Sequence, residues 1–209
     1  MPRVADHDQR RESIARAFQC LLATEGPARV TFARVAAEAG ISVGLIQHYF
    51  ANKDALLRFS YEECLHRIDE RIAARITSGE AAQQPISVML LDCLRELLPL
   101  DAERAIEFRV ERTLWTSAFH DDSLAELARR ANADTHRRVA TAVENGKECG
   151  EVRGEVAGDT AATMILATAR GIADSLALEP GGAAETLVDT SLRPVIATVF
   201  TGRCRHHDR

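Results

Sequence analysis

A stripe of apolar residues runs through Leu56, Leu57, Tyr61, Cys64, Leu65, Ile68, Ile72 and Ile76. Intervals of three and four residues are the period of an α-helix and not of a strand. The stripe therefore predicts one long helix, capped by Asn52 and running to about Ser78-Gly79. No stretch of the chain shows sustained alternation with β-branched residues and hairpin turns. Alanine, leucine, arginine and glutamate dominate, and the 209 residues include 12 glycines and 6 prolines, so few positions interrupt a helix. The expected fold class is all-α. Hydrophobic residues make up 46% of the chain, enough to bury a core in one medium domain or two small ones.

Breakers and caps divide the rest into further helices. Ile14, Ala17, Phe18, Leu21 and Leu22 line one face of a helix over residues 10–25, stopped by Gly26-Pro27. Thr31 caps "FARVAAEAG", and Gly40 ends it in a left-handed conformation. Ser42 caps a third piece, "VGLIQHYF". Further on, Pro85 suits the first turn of a helix to about Leu98, and Asp101 caps another to about Phe119. Asp121 or Asp122 begins a long helix ending near Gly146–Gly150. Asp159 caps one to Leu178, stopped by "EPGG". The last helix starts at Ala183, and Pro194 is expected to kink it.

Two short helices around Gly40-Ile41-Ser42 have the form of a helix-turn-helix. Ala36 is small where the helices cross, Gly40 tolerates positive φ, and Leu45, Ile46 and Phe50 anchor the second helix to a core. Ser42, Val43, Gly44, Gln47 and His48 then face outward, as major-groove readers do. An ordinary helical hairpin satisfies the same spacing. Charge is divided along the chain: residues 1–60 hold eight Lys/Arg and six Asp/Glu, a net of +2, and residues 61–209 hold 18 and 25, a net of −7. A basic head on an acidic body is compatible with DNA binding by the head.

The motif residues Ala17, Phe18, Gly26, Thr31, Val35 and Ala36 lead into "AGISVGLIQHYFANKDALL" without a gap. Residues 10–57 thereby resemble the DNA-binding head of TetR-type transcriptional regulators. "SVGLIQHYF" is most similar to the BetI-like subgroup, with fainter likeness in "WTSAFHDDSLAEL", "GEVRGEVAGDTAATMILATARGIADSLAL" and "TLVDTSLRPVIATVF". The resemblance implies an all-helical homodimer with an N-terminal three-helix head, joined by a long helix to a helical ligand-binding and dimerisation domain. The head takes residues 1–52, with its motif at about 31–50, and the body residues 53–209. The implied function is a ligand-responsive repressor, released from a palindromic double-stranded DNA operator by a small molecule of unknown identity. Carried over by position, the DNA-binding residues are Thr31, Ser42, Val43, Gly44, Gln47, His48, Tyr49 and Lys53. Gln47 can pair bidentately with adenine. Lys53 can meet a phosphate at a helix N-terminus, and only Lys53 and Lys147 are lysines in this chain. Tyr49 is equally suited to packing the head, and Thr31 to capping alone.

In the body, Ile106, Val110 and Leu114 form one apolar line of a helix, and Phe108, Trp115 and Phe119 a second. One line can meet the core and the other a cavity. Candidate ligand-binding residues are Met89, Cys93, Phe108, Glu111, Trp115, Phe119 and Met164, with one of Glu107, Glu111, Arg109 and Arg112 turned inward; plain core packing explains the same apolar residues. Small and apolar residues of the last two helices suit a four-helix dimer interface through Ala161, Ile165, Ile172, Leu187, Leu192, Val195 and Val199, and packing within one chain explains the same residues.

No apolar run is expected to reach membrane-span length, and "MPRVADHDQRRES" has no signal-peptide segment, so a cytoplasmic protein is expected. The five cysteines share no metal-like spacing and are expected reduced. Cys204, His206 and His207 fall in a terminal tail, and no metal or cofactor is assigned. An all-helical enzyme and a noncatalytic adaptor are the competing readings. No G-x-S-x-G, H-E-x-x-H, P-loop or paired-cysteine motif supports catalysis.

Overall fold

In a computed structural model, which describes residues 2–179 and 184–204 and side chains from residue 7 onward, every regular element is helical. The helices are α1 (Pro2–Glu25), α2 (Phe32–Ala39), α3 (Val43–Tyr49), α4 (Lys53–Ala81), α5 (Ile86–Arg95), α6 (Ala102–Ser117), α7 (Asp122–Cys149), α8 (Gly158–Leu178), α9 (Ala184–Leu187) and α10 (Arg193–Val199). The chain divides into two compact units. One joins Met1–Arg67 to Ala105–Ala128, and the other joins Ile68–Arg104 to Arg129–Arg209.

In the first unit, the apolar faces of α1 to α4 close over Ile14, Phe18, Leu22, Val35, Ile46, Phe50, Leu56 and Tyr61, all buried. The guanidinium of Arg11 lies 4.2 Å from the Phe59 ring centre, a cation–π contact at the edge of this core. A polar relay crosses it. Gln19 on α1 donates to the Ser60 carbonyl at 2.9 Å. Arg67 on α4 donates to Gln19 Oε1 at 3.1 Å and to Glu107 Oε1 on α6 at 3.2 Å. Gln19 and Glu107 are each 3% exposed. Of the four charged α6 residues considered from the sequence, Glu107 is the one buried, and Arg67 neutralises it.

The second unit packs around Leu91, Leu94, Leu98, Val143, Ile165, Leu166, Leu192 and Ile196. Glu96, 3% exposed, is held by Arg71 at 3.0 Å and Arg75 at 2.8 Å. Pro85 precedes α5 without a side-chain cap. The cap comes from 65 residues away: the Glu151 carboxylate accepts from Ile86 N at 2.7 Å, Ser87 N at 3.1 Å and Ser87 Oγ at 2.9 Å. A carboxylate there meets both the unpaired N–H groups and the positive end of the helix.

Several expected boundaries move. The first helix begins at Pro2, not at residue 10. Asp121 Oδ1 accepts from Leu124 N at 2.9 Å and caps α7. Asp159 lies inside the first turn of α8, whose cap position is Ala157. The kink expected at Pro194 appears upstream as a π-helical turn over Val188–Leu192. Proline lacks an N–H and its ring excludes the carbonyl four residues back, so the ladder slips before the ring and α10 begins with Pro194 in its first turn. The expected "EPGG" stop continues from Glu179 into residues outside those described, as do His206 and His207.

Candidate nucleic-acid interface

The turn between α2 and α3 is built by local rules. Thr31 Oγ1 accepts from Arg34 N at 3.4 Å to start α2. Gly40 closes it at φ 65°, ψ 33°, and the Ile41 amide donates to the Ala36 carbonyl at 2.9 Å. Left-handed backbone of this kind is strained for residues with a Cβ. Ser42 Oγ accepts from Leu45 N at 3.2 Å to start α3. Asn52 Oδ1 accepts from Ala55 N at 2.8 Å to start α4.

These caps orient α3 so that Ile46 is fully buried and Phe50 follows it into the core. The opposite side presents Ser42, Val43, Gly44, Gln47 and His48, all exposed. A Cβ added at Gly44 would meet no atom within 4 Å. The fold itself therefore places no steric demand for glycine there. Tyr49 is half-buried, with its ring 4.8 Å from His7 of α1 and 5.3 Å from His48. Thr31 is exposed while serving as the α2 cap. Lys53 is half-buried, and its ammonium donates to the Pro27 carbonyl, tying α4 to the loop after α1. Nothing in the sequence pattern signalled His7 or the Lys53–Pro27 bond, because both join positions distant along the chain.

The residues expected around a ligand are dispersed in exposure. Phe108 is buried. Met89, Cys93, Glu111 and Trp115 are half-buried. Phe119 is 84% exposed and Met164 43%. Arg112 lies over the rings of Phe108 and Trp115 at 5.0 and 5.7 Å. A cavity of about 340 Å³ lies against Arg71, Arg75, Ser78, Glu96, Asp101 and Arg104. Its wall is charged, and none of the expected residues lines it. The Asp101 carboxyl is pulled up by burial, but the Arg104 amide and guanidinium outweigh this and hold it below its ordinary value.

The residues expected at a subunit interface differ in exposure. Ala161, Ile165, Ile172, Leu192 and Val199 are buried within this one chain, so they pack its own core. Leu187 and Val195 are half-buried. The outward stripe of α8 is Met164, Ala167, Gly171 and Leu178. Helical periodicity marks an apolar side but not the chain that covers it. α8 also departs from the expectation of no span-length apolar run. By length and composition alone it is long and apolar enough to cross a membrane, and 44% of that stretch is buried inside the protein.

Known proteins carry the same arrangement. Residues 16–58 match the family of bacterial regulatory proteins, tetR family, and residues 88–200 match the BetI-type transcriptional repressor, C-terminal family. The chain is 30% identical over 110 residues to the HTH-type transcriptional regulator PksA of Bacillus subtilis, covering 53% of this chain and 52% of that one. It is 30% identical over 134 residues to the HTH-type transcriptional regulator BetI of Stenotrophomonas maltophilia, covering 62% and 64%. The chain thus spans about half to two thirds of the length of these relatives. A crystal structure of a transcriptional regulator from Rhodococcus sp. Rha1 superposes with a TM-score of 0.79 at 24% identity, covering 91% of this chain and 96% of that one, and so shares the fold. The second of the two family matches spans more than half of the chain and the first spans its helix-turn-helix, so the chain belongs to the tetR family of bacterial regulatory proteins.

Proposed function

We propose that this protein is a dimeric, ligand-responsive repressor that binds a palindromic operator through α3. Residues 1–52 form the DNA-binding part and residues 53–209 the effector-binding and dimerisation part. The observation that carries the reading is the outer side of α3. Ser42, Gly44, Gln47 and His48 are exposed beside a fully buried Ile46, and Gly44 answers no need of the fold. A missing side chain near the start of a recognition helix lets backbone approach a phosphate. Gln47 reads a base edge, with adenine as its best partner. His48 and Tyr49 contact phosphate or a thymine methyl, Thr31 and Ser42 contact phosphate while capping, and Val43 adds an apolar contact. Lys53, beside the Pro27 carbonyl, places positive charge at the start of α4, where the helix N-terminus also favours an anion.

Two heads are needed for tight specific binding, because one buries too little DNA. The exposed stripe Met164, Ala167, Gly171 and Leu178 of α8 supplies the dimer face, where small residues allow close helix approach. The effector acts by binding one head separation more tightly than the DNA-competent one. Trp115, the only tryptophan, reports this event by its fluorescence.

The test is selection of operator fragments from a random double-stranded pool, followed by mobility shifts at rising salt. The expected result is a palindromic site, affinity that falls steeply with salt, and a loss of about 1–3 kcal/mol in Gln47→Ala with the fold intact. Selection of no site, or unchanged binding by Gln47→Ala and His48→Ala, overturns the reading.

A further inference from the structure

Cys149, Glu151 and Cys204 have no motif spacing, since Cys204 lies 55 residues after Cys149. The fold nevertheless brings them together. One ligand atom from each, two thiol sulfurs and a carboxylate oxygen, all lie within 4.8 Å of one another. Cys149 and Glu151 are buried and Cys204 is half-buried. We propose that these three residues form a site for a thiophilic divalent cation of the Zn²⁺ class.

The first support is how the site is built. After α10 the chain turns back onto the end of α7, and the Gly202 amide donates to the Glu151 carbonyl at 2.8 Å. A Cβ at position 202 would lie 2.1 Å from the Gly150 carbonyl oxygen. Only a glycine lets these two segments lie so close, and that closeness sets Cys204 beside Cys149.

The second support is the carboxylate. Glu151 is 2% exposed and anchored from behind, with Oε2 accepting from both Ser87 donors and Oε1 from the Ile86 amide. The remaining partner of Oε1 is the Cys149 thiol, at 3.4 Å. A metal that displaces the thiol proton takes the same lone pair of Oε1, while the α5 amides keep the carboxylate oriented. Metal ligands are commonly held by such outer donors.

The chemistry then selects the ion. Two thiolates and one carboxylate suit a borderline or soft cation, whereas Ca²⁺ and Mg²⁺ require oxygen ligands throughout. A Zn–S bond of about 2.3 Å places tetrahedral thiolates ~3.8 Å apart, a contraction of ~1 Å or less from the present cluster. Binding releases the two thiol protons to solvent. The bound set carries three negative charges against two positive, and the α5 N-terminus faces the excess negative charge. Three protein ligands leave a fourth position for water.

The experiment uses the full chain, reduced and freed of metal by a chelator, with Co²⁺ as the spectroscopic probe and Zn²⁺ as competitor. It reads metal alone and needs no DNA, so its outcome is separate from that of the repressor reading. The expected result is one Co²⁺ per chain, a thiolate-to-cobalt charge-transfer band, intense visible bands of a tetrahedral centre, and displacement by Zn²⁺. Cys149→Ser and Cys204→Ser should each weaken binding at least tenfold. Cys204→Ser, at the half-buried end, should keep the wild-type melting temperature without metal. His206→Ala/His207→Ala should retain the charge-transfer band. Absence of that band in reduced wild type overturns the proposal, as does its survival in the Cys149→Ser/Cys204→Ser double variant. Its loss only in the histidine variant, or a Cys149–Cys204 disulfide that persists under reductant, also overturns it.

Discussion

Gly44→Ala separates a glycine kept for the fold from one kept for a partner. Gly44 is the second residue of α3, and a Cβ there meets nothing within 4 Å. In a helix interior alanine is favoured over glycine by about 1 kcal/mol. In the first turn, where fewer helical bonds are at stake, about half of that is expected. For a chain of this size 1 kcal/mol shifts the melting temperature by about 2–4 °C. Gly44→Ala should therefore melt about 1–2 °C higher than wild type at equal protein concentration. The same methyl group stands where the operator backbone would approach. Affinity by fluorescence anisotropy on the selected operator should drop at least tenfold, or about 1.4 kcal/mol. Gly40→Ala is the control with the opposite signature. Its φ of 65° costs a residue with a Cβ roughly 1–2 kcal/mol, so it should melt lower while the folded fraction still binds. A fall in the melting temperature of Gly44→Ala would show that the fold needs this glycine. Unchanged operator affinity would show that nothing approaches it, and either result refutes the reasoning.

Other consequences follow from buried charge. Arg67→Met removes an ion pair to a carboxylate that is 3% exposed, so it should cost about 3–5 kcal/mol in urea unfolding. Arg67→Met/Glu107→Leu should recover part of that loss, since both charges of the pair are removed together. The Asp134 carboxyl is held low by the hydrogen bond from Arg137 at 2.6 Å and by Arg138, and Asp101 is held low by Arg104 against the opposing effect of burial. A carboxyl with a folded value below the ordinary 3.8 stabilises the fold above that pH and loses the contribution as pH falls through the depressed value. Melting temperatures should thus hold down to about pH 4 and fall below it, with a smaller fall in Asp134→Asn. Burial pushes the Cys64 thiol up to about 12, only partly offset by Arg67. In native protein at pH 8 a thiol reagent should modify Cys20 well before Cys64, whereas the unfolded chain should react at both.

The head was legible because its rules are local. Thr31, Ser42 and Asn52 each cap the helix that follows within three residues, and the left-handed turn at Gly40 is a property of one residue. The outward side of α3 follows from the burial of Ile46 and Phe50, which the helical period already implied. The body was less legible. Its apolar stripes predicted helices correctly, but the same pattern marks a core face, a cavity wall and a subunit interface alike. Ile165 and Leu192, which suit an interface and intrachain packing alike by period, are buried within the chain.

Amino-acid order alone thus determined the helices, most of their caps and the exposed surface of α3, because each depends on neighbours a few residues away. Tertiary structure decided what depends on distant partners. It chose Glu107 among four charged neighbours because Arg67 lies opposite, and it capped α5 with Glu151 because Pro85 offers no side-chain acceptor. It also joined Cys149 to Cys204 because Gly202 can lie against Gly150. Period and spacing encode which side of a helix is apolar, whereas the meeting of two charges or two thiols depends on how the helices pack.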